Sequence, residues 1–110
     1  MKTIIFVLGL LLSPAFSNAL LAQTETTLHV DGNCDMCKKR IEQALDIPGV
    51  KLAKWDPNSH KLKVRFDEKK INLDQIREYI LAVGHDVDGL KAEEEVYQKL
   101  HTCCKYERHH

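Results

Sequence analysis

Val30-Asp31-Gly32-Asn33-Cys34-Asp35-Met36-Cys37 is the stretch on which the fold turns, and it runs directly into Lys38-Lys39-Arg40-Ile41-Glu42. Just before the turn, Leu28-His29-Val30 alternates as a strand does, with Leu28 and Val30 on one face. Asp31-Gly32-Asn33 is turn chemistry. From Cys37 the apolar period changes, and Cys37, Ile41, Ala44 and Leu45 share one side of a helix. Cys34 and Cys37 therefore lie in a loop that opens a helix. Unpaired N–H groups and the positive end of the helix dipole favour thiolate over thiol there. Lys38, Lys39 and Arg40 add positive charge in the first turns. The stretch is suited to sulfur anions.

Working outward toward the C-terminus, Ile47-Pro48-Gly49-Val50 ends the first helix, since Pro cannot continue it and Gly supplies the turn. Lys51-Leu52-Ala53-Lys54-Trp55 reads as a strand, Asp56-Pro57-Asn58-Ser59 as a hairpin turn, and Lys61-Leu62-Lys63-Val64-Arg65-Phe66 as a second strand. Leu62, Val64 and Phe66 face a core, and Lys61, Lys63 and Arg65 face solvent. A second helix is capped by Asn72 and Gln75, buries Leu73, Ile76, Ile80 and Val83, and stops at Gly84. A short, acidic fourth strand is expected at His85-Asp86-Val87-Asp88-Gly89-Leu90, and a tail helix over about residues 91–100 with Val96, Tyr97 and Leu100 as its apolar side. The order is a duplicated β-α-β, the split βαβ or ferredoxin-like α+β fold (βαββαβ, fourth strand weak), with a C-terminal helical tail. In this topology the loop entering helix one and the loop leaving helix two lie at one end. His85 is thus expected near Cys34 and Cys37.

Toward the N-terminus, residues 1–22 read as a secretory signal peptide: Lys2 supplies the charged start, residues 4–12 the apolar run, and Pro14 the break. Ser13, Ser17 and Asn18 interrupt the run and argue against a membrane span. The expected product is exported, periplasmic or secreted, with a domain at residues 24–90 and a Cys-Cys tail at 91–110. The chain carries sixteen basic and sixteen acidic residues. Such neutrality gives no reason to expect nucleic acid or an anionic membrane as partner. Export places Cys34, Cys37, Cys103 and Cys104 where disulfides form, with three pairings open if all are oxidised. Both pairs are local and would close almost no loop, so cross-linking would add little stability. Local thiol pairs point instead to metal or redox chemistry.

The residues Gly32-Asn33-Cys34-Asp35-Met36-Cys37, the helix through Ile41-Glu42, the Pro48-Gly49-Val50 turn and the Val83-Gly84-His85-Asp86 corner together resemble a heavy-metal-associated domain. The resemblance spans about residues 26–90. That family includes copper chaperones, amino-terminal modules of metal-pumping ATPases and periplasmic mercury-binding proteins. It implies that Cys34 and Cys37 are metal ligands and that the partner is a metal-transporting membrane protein or another metal-binding domain. The sequence departs from the family's pattern twice. Gly32 stands where a Met usually precedes the first Cys, and His85 stands where an aromatic residue or Lys often follows the second helix.

The donor chemistry agrees independently. Thiolates select soft ions over Mg(II) or Ca(II). Two of them in an exposed loop suit Cu(I) foremost, with Hg(II) or Zn(II) as alternatives, although a structural Zn(II) site needs four ligands and closure. Transfer by thiolate exchange is the expected activity, with no chemistry on a substrate. Met36 reads as a loop side chain or partner contact rather than a thioether ligand. His85 is either a corner histidine bonded locally or a third ligand. Cys103 and Cys104 are a second site, an extension of the first reached by a folded-back tail, a vicinal disulfide, or incidental thiols. His29 and His60 are expected not to be ligands: one points away from Leu28 and Val30, and the other lies in a turn. Two further classes remain open: a thiol–disulfide oxidoreductase using the C-x-x-C pair, and a non-transferring metal-sensing module. Against the former, no strand and helix precede the motif, and Pro14, Pro48 and Pro57 are not placed to face the thiols.

Overall fold

A computed structural model describes residues 23–108. The expected signal peptide, its cleavage and His109-His110 lie outside the described residues. Strand β1 (Gln23–His29), helix α1 (Asp35–Ala44), β2 (Val50–Trp55), β3 (Lys61–Asp67) and α2 (Leu73–Ala82) follow in the anticipated order. The strands form one antiparallel sheet in the order β1-β3-β2. Leu28 pairs with Leu62, Thr26 with Val64 and Ala53 with Val64, so the alternating apolar residues share a face. The helices lie over that face, where Ile41, Leu45, Ile76 and Ile80 join Leu62, Val64 and Phe66 in the core. Asn72 caps α2 in a reciprocal box with Gln75: Gln75 N–H donates to Asn72 Oδ1 (2.8 Å), and Asn72 N–H donates to Gln75 Oε1 (3.0 Å).

The fourth strand does not form as expected. Val87 makes isolated bridges to Val30 and Leu90, and the chain then reverses. Asp88 (φ 48°) and Gly89 (φ 82°) both adopt left-handed backbone, and Val87 and Leu90 exchange hydrogen bonds of 3.1 and 2.8 Å. Asp-Gly is the preferred pair for such a tight reversal, and that local preference prevails over extension. The Val30 bridge nevertheless keeps the segment beside β1, where this topology places its last strand.

The tail helix is also shorter than expected. Helix α3 covers only Glu94–Gln98 and is followed by a single 3₁₀ turn, Thr102–Cys104. What fixes the tail is the burial of Leu100, Cys104 and Tyr106 in the core, joined by a set of polar anchors. Tyr106 Oη accepts from Asp86 N–H (2.9 Å) and donates to the Gly84 carbonyl (2.8 Å). Arg108 pairs bidentately with the buried Asp86 carboxylate at 2.8 and 3.2 Å and donates to the Ala92 carbonyl at 2.7 Å. Gly84 (φ 98°) permits close packing, since a Cβ there would lie 3.2 Å from the Leu100 side chain.

Candidate metal centre

Cys34 is the N-cap residue of α1, in extended conformation (φ −142°, ψ 179°), and Cys37 lies one turn in. The change from strand to helix around Asp31-Gly32-Asn33 therefore sets both thiols at the helix mouth. Cys37 is fully buried against the core and Cys34 is half-buried. Gly32 explains one departure from the family's pattern. A Cβ there would stand 3.0 Å from the Trp55 ring and 3.2 Å from Cys37 Cβ, so the indole occupies the space a larger residue would need. Trp55 is itself fixed, donating from Nε1 to the Val30 carbonyl at 2.9 Å.

The tail brings Cys104 to this mouth. Its Sγ lies 3.7 Å from Cys34 Sγ, which lies 3.7 Å from Cys37 Sγ, and all three sulfurs are within 4.8 Å of one another. Ligands at metal–sulfur bonds of about 2.3 Å stand about 3.8 Å apart in a tetrahedral arrangement and about 4.0 Å apart in a trigonal one. The three thiols are thus close to the spacing an ion would impose. Cys103 is exposed; its Sγ is 3.9 Å from Cys104 Sγ and donates to Met36 Sδ at 3.4 Å. It stands outside the group of three. All four cysteines are free thiols, so the vicinal disulfide does not form here.

The sulfurs differ electrostatically. Burial opposes ionisation of Cys34, but the Cys37 backbone N–H and bonds from the Cys103, Cys104 and Cys37 side chains hold it down to about 7. Burial pushes Cys37 up to about 12, against the Asn33 N–H that donates to its sulfur at 3.4 Å. Burial also raises Cys104, opposed by Cys37 and the Arg40 side chain. The basic triplet therefore acts differently from expectation. Lys38 is drawn away to Glu42 (2.6 Å) and the Trp55 carbonyl (2.8 Å), where it ties α1 to β2. Arg40, three positions after Cys37 and so on a neighbouring part of the helix surface, is the cation of the three that favours the Cys104 thiolate.

Of the further candidates His85, Cys103 and Cys104, it is Cys104 that lies within 4.8 Å of both Cys34 and Cys37. His85 is fully buried, its Nδ1 is 2.8 Å from the Asp31 carbonyl, and its ring stacks on Tyr106 at 5.6 Å. It is the corner histidine rather than a member of the sulfur group. Burial lowers its affinity for a proton, and because a carbonyl only accepts, Nδ1–H donates to Asp31. Tyr106 and Arg108, which position Cys104, went unread because isolated polar anchors leave no periodic mark. His29 and His60, set aside from sequence, also gather: with Asp31 they bring three ligand atoms within 4.8 Å of one another.

Among the described residues, no helix is long and apolar enough to cross a membrane. The model of the heavy-metal-associated domain matches residues 27–86. "Copper chaperone CopZ" of Staphylococcus saprophyticus is 36% identical over 63 residues, which cover 56% of this chain and 93% of that protein. Its counterpart from Staphylococcus haemolyticus is 34% identical over 62 residues, covering 54% and 91%. The solved structure of a CopZ metallochaperone superposes with a TM-score of 0.56 at 32% identity, covering 58% of this chain and 98% of that one. Oxidised MerP from Ralstonia metallidurans shares the fold, with a TM-score of 0.58 at 22% identity over 61% of this chain and 96% of that one. The family match ends at residue 86, so Cys103 and Cys104 lie beyond it. From Thr27 to Asp86, with Cys34 and Cys37 at the mouth of its first helix, the chain belongs to the heavy-metal-associated domain family.

Proposed function

We propose that this protein carries a soft metal ion on Cys34, Cys37 and Cys104 and passes it on by thiolate exchange. The observation that supports this is the convergence of three free sulfurs within 4.8 Å at a helix mouth. Three thiolates satisfy a soft, low-coordinate cation without a closed cage. Cu(I) is the favoured cargo, in keeping with the similarity to copper chaperones, and Hg(II) is served by the same donors. Zn(II) needs a fourth ligand, which exposed Cys103 or water supplies.

Exchange follows from the arrangement of the sulfurs. Cys37 and Cys104 are buried and Cys34 is half-buried, so an incoming thiolate approaches from the side of Cys34, Cys103 and Met36. It adds before one of the chain's own sulfurs leaves, which keeps the ion coordinated throughout. The recipient is a metal-transporting membrane protein or another metal-binding domain. We further propose export, on the strength of Lys2, the apolar run and Pro14.

Anaerobic titration of the reduced protein with Cu(I) against a chromophoric competitor tests the reading. One tight equivalent is expected, lost in the Cys34→Ser/Cys37→Ser double variant and weakened at least about tenfold in Cys104→Ser, taking the lower end of losses for supporting groups as a floor. Undiminished stoichiometry in the double variant would sink the proposal. A second reading, a thiol–disulfide oxidoreductase, is favoured by the pairing of a half-exposed, acidic Cys34 thiol with a buried Cys37. Disulfide-reductase turnover that depends on Cys34 would select it instead.

A further inference from the structure

We infer that His29, Asp31 and His60 form a second metal site, one for borderline divalent ions such as Zn(II), Ni(II) or Cu(II) and separate from the sulfur centre. His29 Nε2 is 3.0 Å from Asp31 Oδ1, and these atoms and a ring nitrogen of His60 all lie within 4.8 Å of one another. Nitrogen and oxygen ligands at metal distances of about 2.0–2.1 Å stand about 3.3 Å apart in a tetrahedral shell. The His29–Asp31 pair, at 3.0 Å, already stands near that value, and the His60 nitrogen, within 4.8 Å of both, closes on them by a side-chain adjustment. Two imidazoles and a carboxylate are harder donors than thiolates, so they discriminate against Cu(I) in favour of divalent transition ions. Remaining coordination positions face solvent, as His29 is 57% exposed.

The scaffold beneath these side chains is already ordered. His60 holds a left-handed backbone (φ 62°), a conformation that His, like Asn and Asp, enters more readily than other residues with a Cβ. Its N–H donates to the Asp56 carbonyl (2.8 Å), and its carbonyl accepts from Val30 N–H (2.9 Å), which locks the turn against the end of β1. Its ring stacks on Trp55 at 5.7 Å with planes 10° apart and meets the His29 ring edge-on at 5.8 Å. Asp31 N–H is held by the Asp86 carbonyl at 3.0 Å, and His29 N–H by Asp88 Oδ1 at 2.9 Å. Lys61, the cross-strand neighbour of His29, is the cation nearest in register. Its side chain is exposed to water. The sequence hides this site because residues 29 and 60 meet only through the β1–β3 pairing.

The full-length reduced protein, isotope-labelled, is titrated anaerobically with Zn(II). Imidazole nitrogen resonances are followed together with fluorescence of Trp55, the chain's single tryptophan. The expected result is a Zn(II) event that shifts both His29 and His60 ring nitrogens and perturbs Trp55. His60→Asn, which tolerates the left-handed backbone, and Asp31→Asn should each weaken that event at least about tenfold, again using the floor for supporting groups. A chain ending at Arg108 should retain it, which separates the site from the C-terminal histidines. Ring resonances of His29 and His60 that stay still at excess Zn(II) would overturn the inference. So would a folded His60→Asn protein that binds as the parent does, leaving an ordinary His29–Asp31 ion pair.

Discussion

At the scale of single residues, the sulfur centre is unequal by construction. Cys34, at about 7, is ionised at neutral pH to a far greater extent than Cys37, raised to about 12. Because the thiolate is the nucleophile, alkylation of metal-free reduced protein should modify Cys34 well before Cys37. Its rate should rise with pH through about 7, and peptide mapping at successive pH values reads this directly. Equal labelling of the two would mean that the hydrogen bonds at the helix mouth do not act as described. Gly32 is legible only in part from sequence. A turn glycine was evident, but its reason is the Trp55 ring 3.0 Å from where a Cβ would sit. Gly32→Ala should therefore cost about 1–3 kcal/mol through overpacking. Chemical denaturation measures the loss, and an unchanged midpoint would show that the indole yields freely.

At the scale of elements, the two helices and three strands were legible because each carries its own period. The capping box of α2 and the alternation of β3 are local signals that the sheet reinforces. The weakness expected of the fourth strand has a local reason as well: Asp88-Gly89 turns the chain before extension can continue. The tail is different in kind. Its helix α3 has five residues, too short to be stable alone, and it stays in place through Tyr97, Tyr106 and Arg108. Truncation after Leu100 removes Cys103 and Cys104 together with those last two anchors. It should weaken Zn(II) binding more than Cu(I) binding, because two thiolates still suffice for Cu(I) and not for Zn(II). Competition titrations on both chains check this; equal affinities with and without the tail would leave Cys104 without a role in binding.

At the scale of the whole molecule, Asp86 joins the family domain to its tail. It is 2% exposed, and its carboxylate is held below its ordinary value: burial opposes ionisation, but the Arg108 guanidinium and the Ala92 N–H outweigh it. A folded value below the unfolded one means that between them the unfolded chain binds more protons, so stability rises with pH across that window. The contribution is complete above the ordinary carboxylate value near 3.8 and disappears as pH falls through the depressed folded value. Asp86→Asn should flatten the acid limb of the melting temperature against pH, and Arg108→Ala should cost roughly 3 kcal/mol at neutral pH, the low end for a broken buried pair since Lys91 remains at 3.5 Å. Melts across pH 2–7 measure both. The sequence by itself determined the strand–helix order, the core stripes and the position of Cys34 and Cys37 at a helix mouth. Those features rest on periodicity and turn chemistry within a few residues. Only the tertiary structure decided that Cys104 rather than His85 completes a group of three with them, that Lys38 is drawn away to Glu42 and the Trp55 carbonyl, and that His29 meets His60. Cys34 and Cys104 are 70 positions apart, and what closes that distance is the burial of Leu100, Cys104 and Tyr106 together with a handful of polar contacts on Asp86 and Gly84. Such contacts depend on the packed shape of the domain and leave no pattern in the chain.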